Sequence, residues 1–428
     1  MIYNLITDVR IFESRLVLIN VIISVVLAVI YFHQYFYGFL SIFVKRKKLK
    51  DATLNRKFAY IICAYNEEVV IGNLVQSIYA QDYPKELMQV FVVADNCTDK
   101  TALIARNAGA IVIERFNQIK KGKSYALDDA IKKILAEHHD FDGYLFFDAD
   151  NLVAPDYTKE MNKLLDKGYD VATSFRDTKN FDNWISAGSS MTFLRENIII
   201  HQSRSFVGIG TYVAGTGFYV SDKVLRKQNG WPYHTLTEDI EFSVNCAIQG
   251  IKIGYCGSAV FYDEQPEKLK QSNKQRLRWC RGTHQIFFRY GFKLLKGFLT
   301  KGSLTCFEMF VHVCPLPVLT FLWSLIYTLL LLFFAFFQNF SWEQCIAIGV
   351  QNFIFFLLLL YAIALLQAFI VTIKYHKNIK CKLSKQIRYC FTFPIYMMLF
   401  IPLSFKALFK KVNWVKVEHT VDKKISDL

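Results

Sequence analysis

The ten cysteines form no CxxC pair or other metal-ligand spacing, which excludes zinc ribbons and fingers, and their distribution leaves reduced thiols with no structural disulfide as the expectation. There is no internal repeat and no low-complexity linker, so neither a solenoid nor a chain of tethered modules is indicated. The glycine spacing of a Walker motif is absent around Lys123, which excludes a P-loop NTPase. No small-residue cleavage site follows the first apolar run, and that run is longer than the ~7–15 residues of a signal-peptide core. It reads as a retained helix.

What the chain has in excess is apolar sequence: 53% hydrophobic and 16% aromatic residues, with 39 Phe. Uncharged runs at Leu16 to Val44, Met309 to Trp342 and Gln344 to Ile373 each exceed the ~20 residues needed to cross a bilayer, which predicts three spans. The net charge of +15 gathers at their ends, with Lys45, Arg46, Lys47, Lys48 and Lys50 after the first run and Lys374, Lys377, Lys380, Lys382, Lys385 and Arg388 after the third. The link Gln338 to Gln344 has no Lys or Arg. By the positive-inside rule the large middle segment is cytosolic, in a multi-pass protein of the plasma membrane. Basic runs beside spans, rather than on a separate aromatic surface, argue against nucleic acid. A fourth apolar run, Tyr389 to Phe405, is 17 residues long, holds two prolines and has positive charge on both sides, so a re-entrant or interfacial segment is at least as expected as a true span.

Between Arg56 and Lys301, short apolar runs (FAYIICAY, QVFVVADN, AIVIE, GYLFFDAD, DVATS) alternate with helical patterns. That alternation predicts an α/β fold with a mostly parallel sheet flanked by helices, attached to an α-helical transmembrane region. Such sheets bind ligands at the carboxyl ends of their strands. Three strands here end in polar clusters: Tyr65-Asn66-Glu67, Asp95 to Asp99, and Asp148 to Asn151. The run Arg281 to Lys301 mixes Phe and Leu with Arg and Lys at helical spacing, as in a basic helix lying on a membrane surface; the alternative is an ordinary core-facing helix. The expected segments are a helix at 1–44, a cytosolic domain at 45–280, an interface helix at 281–303, a membrane region at 304–411 and a cytosolic tail at 412–428.

Asp148 and Asp150, two apart at a strand end, can face one divalent cation, and Mg²⁺ prefers one or two carboxylates plus phosphate oxygens. The alternative is a loop Asp-x-Asp capping the next helix. Asp95 is placed to hold a nucleoside, or to close an Asx-turn. KKGKSYAL opens a helix after a glycine, offering Lys123 and free N–H groups to an anion, although taken singly Lys123 reads as a solvated charge. Thr237-Glu238-Asp239 begins a helix ending at Gly250; Thr237 reads as its N-cap, and a carboxylate at that start can also take a proton from a hydroxyl. In Val213 to Asp222, Gly215 and Gly217 would let backbone approach a sugar closely, or form a plain turn.

The order YNE, DNCTD, GKSYAL, DAD, TED, QRLRW and then membrane spans resembles the inverting family 2 glycosyltransferases, in particular the membrane-embedded synthases of cellulose, hyaluronan, chitin and poly-N-acetylglucosamine. The resemblance implies a GT-A-like fold and a metal-dependent hexosyl- or N-acetylhexosaminyltransferase. It would add sugars processively to a polysaccharide in a membrane, with UDP-N-acetylglucosamine or UDP-glucose as donor and room for an accessory export subunit. It implies that Glu67 and Asp95 bind uridine, that Asp148 and Asp150 hold the diphosphate and its Mg²⁺ or Mn²⁺, that Lys123 lies near the nucleotide and that Asp239 is the general base. Arg278 would face the pyrophosphate. Gln275, Trp279, Glu238, Gly215 and Thr216 would bind the acceptor. The alternatives are transfer of one sugar to a lipid acceptor, and a non-enzymatic membrane channel or scaffold that binds nucleotide.

Overall fold

The computed structural model describes residues 2–45, 48–337, 341–412, 419 and 421–427. Arg46 and Lys47 of the first basic run, and part of the link 338–344, lie outside the described residues.

Strand β1 (Phe58–Ala64) is buried on both faces, which is why it reads as an unbroken apolar run. It pairs in parallel with β2 (Met88–Asp95), β2 pairs in parallel with β3 (Ile111–Arg115), and the other edge of β1 pairs in parallel with β4 (Gly143–Asp148). After the two-residue β5 (Leu152–Val153) come β6 (Val171–Thr178), β7 (Phe218–Ser221) and β8 (Ile253–Asp263). The eight strands run in the order β3-β2-β1-β4-β7-β6-β8-β5. The expected parallel half is present, but β7 enters antiparallel to β4 and β6, so the sheet is mixed. That strand comes from the Val213 to Asp222 stretch, whose glycines drew attention to its turn and away from FYVS.

Alternation along β1 divides the core. Phe58, Tyr60 and Ile62 pack under α2 (Ile71–Tyr79), α3 (Thr101–Asn107) and α5 (Tyr157–Asp166), whereas Ala59 and Ile61 face α4 (Lys123–Glu137), α8 (Asp222–Lys227) and α9 (Glu238–Gln249). Helix α6 (Trp184–Arg195) runs through a π-helical stretch (Glu196–Gln202) into α7 (Ser203–Phe206) and buries most of its length against later helices.

Two features of the C-terminal half differ from expectation. The QRLRW segment and the amphipathic run are not separated near residue 280 but form one helix, α10 (Leu269–Lys301). Its Phe288, Phe292 and Leu299 stand 70–80% exposed along one stripe. The expected span at 309–342 is broken into α11 (Leu304–Val313) and α12 (Leu316–Phe337), bent by 61°, because Pro315 follows the end of α11 and has no amide hydrogen with which to continue it. The fourth apolar run, for which both readings were open, lies within Leu383–Phe409, where α14 (Leu383–Met398) and α15 (Phe400–Phe409) together are long and apolar enough to cross a membrane. So are Leu18–Phe43 of α1 (Ile2–Phe43) and Gly349–Tyr375 of α13 (Trp342–Tyr375).

Helices α14 and α15 press against the α/β domain. A Cβ on Gly188 of α6 would lie 2.7 Å from Tyr396 Cδ2, so only glycine permits that approach. The fully buried Arg276 donates to the Tyr396 carbonyl at 2.8 Å, and Arg281 donates to those of Ala407 and Leu408 at 3.0 and 3.2 Å.

Candidate active site

Register levels the polar strand ends. Cys63, one residue before the end of β1, pairs with Asp148 on one side and Val93 on the other, so Asp148 and Asp95 emerge at the same edge of the sheet. Asn66 and Asn96 adopt left-handed backbone at φ 55° and 54°, turning the chain sharply out of β1 and β2. The amide of Thr98 donates to Asn66 Oδ1 at 2.8 Å and knits the two loops together.

Around the DAD turn, Lys123 Nζ donates to Asp148 Oδ1 and, at 2.8 Å, to the Gly215 carbonyl. Lys123 opens α4 directly after Gly122, whose φ of +105° admits glycine readily. The neighbouring Asp148 and Glu238 raise the Lys123 ammonium against the opposing effect of its burial. Asp148 N donates to Thr216 Oγ1 at 3.0 Å and to Asn151 Oδ1 at 3.1 Å, and Thr216 Oγ1 donates to Asn151 Oδ1. Asn151 Nδ2 in turn donates to Asp263 Oδ1 at 2.9 Å, and Arg176 donates to Asp263 Oδ2. Burial pushes Asp263 up to about 6 against the pull of Arg176. Asn151, Asp263 and Arg176 therefore hold the turn, and no short motif announced them.

Asp239 stands in the first turn of α9, which ends, as expected, at Gly250 in left-handed conformation. A Cβ built on Gly215 would lie 3.6 Å from Asp239 Oδ2. Burial first, and Glu238 second, push the Asp239 carboxyl up to about 7, with Lys123 and Arg278 pulling the other way. Thr237 occupies the N-cap position but caps nothing with its side chain; its buried hydroxyl has no hydrogen-bond partner among the described residues. It is pressed against Gly282 of α10, where a Cβ would lie 2.7 Å from Thr237 Cγ2 and closer still to Oγ1. Arg278 Nη1 donates to the Leu236 carbonyl at 2.9 Å, so α10 reaches the TED loop through both Arg278 and Gly282.

Trp279 meets Phe193 edge-on, with ring centroids 6.1 Å apart, and Arg176 lies over the other ring of that pair, 3.6 Å from the Phe193 centroid. Beside them a narrow cleft runs between Phe193, Asn197 and Thr216. Gln275 is half-buried one turn before Trp279.

Glu67 and Asp95 are held by different partners. Asp95 is held by Arg115 Nη1 at 2.7 Å, both side chains being about nine-tenths buried. Arg115→Ala would leave that carboxylate buried without its cation, at a cost of about 3–5 kcal/mol, and the loss should appear as a lowered unfolding midpoint of the detergent-purified protein. Glu67 Oε2 is instead 3.1 Å from His419 Nδ1, while His419 Nε2 is 3.8 Å from Asp150 Oδ2. Burial alone would lower this imidazole, but Asp150 and Glu67 raise it to about 10. Nothing in the sequence pattern pointed to His419.

Among the described residues no three His, Cys, Asp or Glu side chains converge as a self-sufficient metal site. A cation held by Asp148 and Asp150 would take its other ligands from phosphate oxygens or water, a donor set that suits Mg²⁺ or Mn²⁺.

The family described as glycosyltransferase like family 2 matches residues 55–282, the stretch from the first strand to Gly282. The chain belongs to this family. Within glycosyltransferase family 2 it is 28% identical over 273 residues to a probable glycosyltransferase, YdaM, of Bacillus subtilis, covering 59% of this chain and 61% of that one. It is 26% identical over 238 residues to the beta-monoglucosyldiacylglycerol synthase of Synechocystis, covering 54% and 48%. It is 25% identical over 271 residues to the poly-beta-1,6-N-acetyl-D-glucosamine synthase of Staphylococcus aureus, covering 61% and 63%. The match thus spans half to three fifths of the length of these family 2 relatives. The fold agrees with a mannosyltransferase from Pyrobaculum calidifontis, solved in complex with GDP-Man and Mn²⁺, at a TM-score of 0.58 and 18% identity over 90% of this chain and 98% of that one.

Proposed function

We propose that this family 2 glycosyltransferase transfers a sugar from a UDP-sugar, with inversion, to the hydroxyl of a growing polysaccharide at the cytosolic face of the plasma membrane. UDP-N-acetylglucosamine and UDP-glucose are the preferred donors, and transfer is processive and coupled to export. The observation that carries this reading is the placement of Asp239, raised to about 7, across Gly215 from the Lys123–Asp148 pair. One side of that short loop suits an acceptor hydroxyl and the other a departing diphosphate.

In this reading the acceptor oxygen bonds to the anomeric carbon as the bond to the UDP oxygen breaks, and its proton passes to Asp239. A single carboxylate base suffices, unlike the paired carboxylates of a hydrolase. Lys123 and Arg278 face the charge that grows on the diphosphate. Asp148 and Asp150 would hold Mg²⁺ or Mn²⁺, which when bound neutralises part of that charge. Glu67 and Asp95 take the uridine end. Glu238, Gly215, Thr216 and Gln275 line the acceptor side, where Trp279 offers its indole face to the C–H face of a terminal sugar. The helices at 1–44 and 304–411 anchor the enzyme, with the stripe of α10 on the lipid surface.

A titration of kcat/KM against pH checks the base. Asp239 is protonated, and so unable to accept, below its raised value; activity should be present above about pH 7 and fall tenfold per unit below it. Transfer of one sugar to a lipid is the second reading, favoured by the comparable identity to a glycolipid synthase, 26% against 25%. The deciding experiment offers purified protein a panel of UDP-sugars with Mg²⁺ or Mn²⁺ and follows UDP release with product mass. A ladder of one repeating sugar supports the polymer, a single addition to lipid the second reading, and no turnover with any nucleotide sugar removes both.

A further inference from the structure

The end of β6 carries a cation that no motif marks. Lys179 follows Thr178, and its amide donates to the Asp263 carbonyl at 2.9 Å, extending the β6–β8 pairing by one residue. The next position is locked from both sides: the Gln265 amide donates to Asn180 Oδ1 at 2.9 Å, and Asn180 Nδ2 donates to the Gln265 carbonyl at 3.0 Å. The backbone under Lys179 is thus fixed, and only 4% of the residue is exposed. Its ammonium finds no hydrogen bond or ion pair among the described residues; Asp150, Glu264 and Asp263 act on it only through space. Three neighbouring cations do have direct carboxylate partners: Lys123 on Asp148, Arg176 on Asp263 and His419 on Glu67. Asp150 Oδ2 accepts from the Glu264 amide at 3.3 Å, so the second carboxylate of DAD is turned toward the end of β8, beside Lys179.

An ammonium buried without a partner is costly, so a fixed backbone that holds one there points to an arriving group that completes its interactions. We propose that Lys179 couples the metal to the nucleotide: it repels a bare divalent cation from Asp148 and Asp150, and admits that cation together with a nucleoside diphosphate. The inference rests on the donor reading above. A lone divalent ion beside Asp150 meets the Lys179 charge in a buried setting, where like charges are poorly screened. Two carboxylates, with no third His, Cys, Asp or Glu converging among the described residues, do little to offset that repulsion. A diphosphate reverses the sign of the encounter, because its negative charge outweighs that of the ion it carries and its oxygens can accept from the ammonium. Lys179 thereby selects the ion and the nucleotide as a pair over the ion alone.

Electron paramagnetic resonance provides the test, because free Mn²⁺ gives a signal that bound Mn²⁺ loses. The full chain in detergent is titrated with Mn²⁺ alone and with UDP present, and Mn²⁺ held by UDP without protein is subtracted. Wild-type protein should bind Mn²⁺ about tenfold more tightly with UDP than alone, within the ~5–150-fold range of couplings between sites. Lys179→Met should bind bare Mn²⁺ about tenfold more tightly than wild type and lose most of the gain from UDP, again on the scale of such couplings. Lys179→Arg, which keeps the charge, should behave as wild type. The sign separates this from a structural role: a mere counter-ion for Asp150, Asp263 and Glu264, once lost, would disorder the turn and weaken Mn²⁺ binding under both conditions. Weaker or unchanged bare-ion binding in Lys179→Met overturns the proposal, as does wild-type protein in which UDP fails to strengthen Mn²⁺ binding. Lys179→Gln carries the same test if gel filtration shows Lys179→Met misfolded. Wild-type protein that binds no UDP by calorimetry removes the donor reading itself, whereas UDP binding without coupling to Mn²⁺ removes only this inference.

Discussion

Asp239→Asn should reduce turnover about 10³-fold, within the range expected for removing a positioned general base, while leaving UDP affinity unchanged. Asn keeps the size of the side chain and its place above Gly215, but its amide cannot accept the acceptor's proton. The split between lost turnover and retained binding is the informative part. If Asp239 only capped α9, its loss would lower stability and affinity together, and a few-fold change in turnover would follow. The acid limb near pH 7 should also vanish from whatever activity is left, because the group that titrates there is gone. Full activity in Asp239→Asn would shift the base to Glu238, its buried neighbour, and Glu238→Gln would then show the loss.

Gly282→Ala should inactivate the enzyme without touching a reacting group. On an open helix face this change stabilises by about 1 kcal/mol, since alanine is the better helix former. Here the new methyl would meet Thr237, its carbon 2.7 Å from Cγ2, so either α10 or the TED loop has to move. A shift of about 1 Å in a catalytic group costs on the order of 100-fold in rate, and overpacking costs about 1–3 kcal/mol in stability. Rescue distinguishes this from general damage. Thr237→Gly makes room for the methyl, so the double variant should recover much of what Gly282→Ala loses, which a cycle of kcat and unfolding measurements would read as strong coupling.

The parallel half of the sheet was legible because β1, β2 and β4 are buried on both faces and therefore apolar throughout, and because their ends carry Glu67, Asp95 and Asp148 in plain view. Lys123 and Asp239 follow helix-start logic that needs only neighbours in sequence. What was not legible depends on distant partners. Arg276 and Arg278 look alike in QRLRW, yet two residues on a helix point to different faces, and one lies buried against Tyr396 while the other reaches Leu236. Asn151 acquires meaning from Thr216 and Asp263, both distant in sequence. His419 sits beyond every apolar run, in a stretch whose composition resembles an ordinary polar tail. The break at Pro315 was present in the sequence, but hydropathy counts length and passes over a missing amide.

Helix α10 joins two surroundings that have nothing else in common. Arg278 and Gly282 near one end meet the TED loop at Leu236 and Thr237, while Phe288, Phe292 and Leu299 stand bare toward the other. With 33 residues at ~1.5 Å each, it is a rod about 50 Å long with no proline to act as a hinge. A tilt at one end is therefore delivered as a displacement at the other, in the manner of a lever. In the proposed membrane setting, bilayer thickness and lipid order would act on the same coordinate as substrate positioning, with the catalytic geometry defined relative to the membrane as much as to the protein.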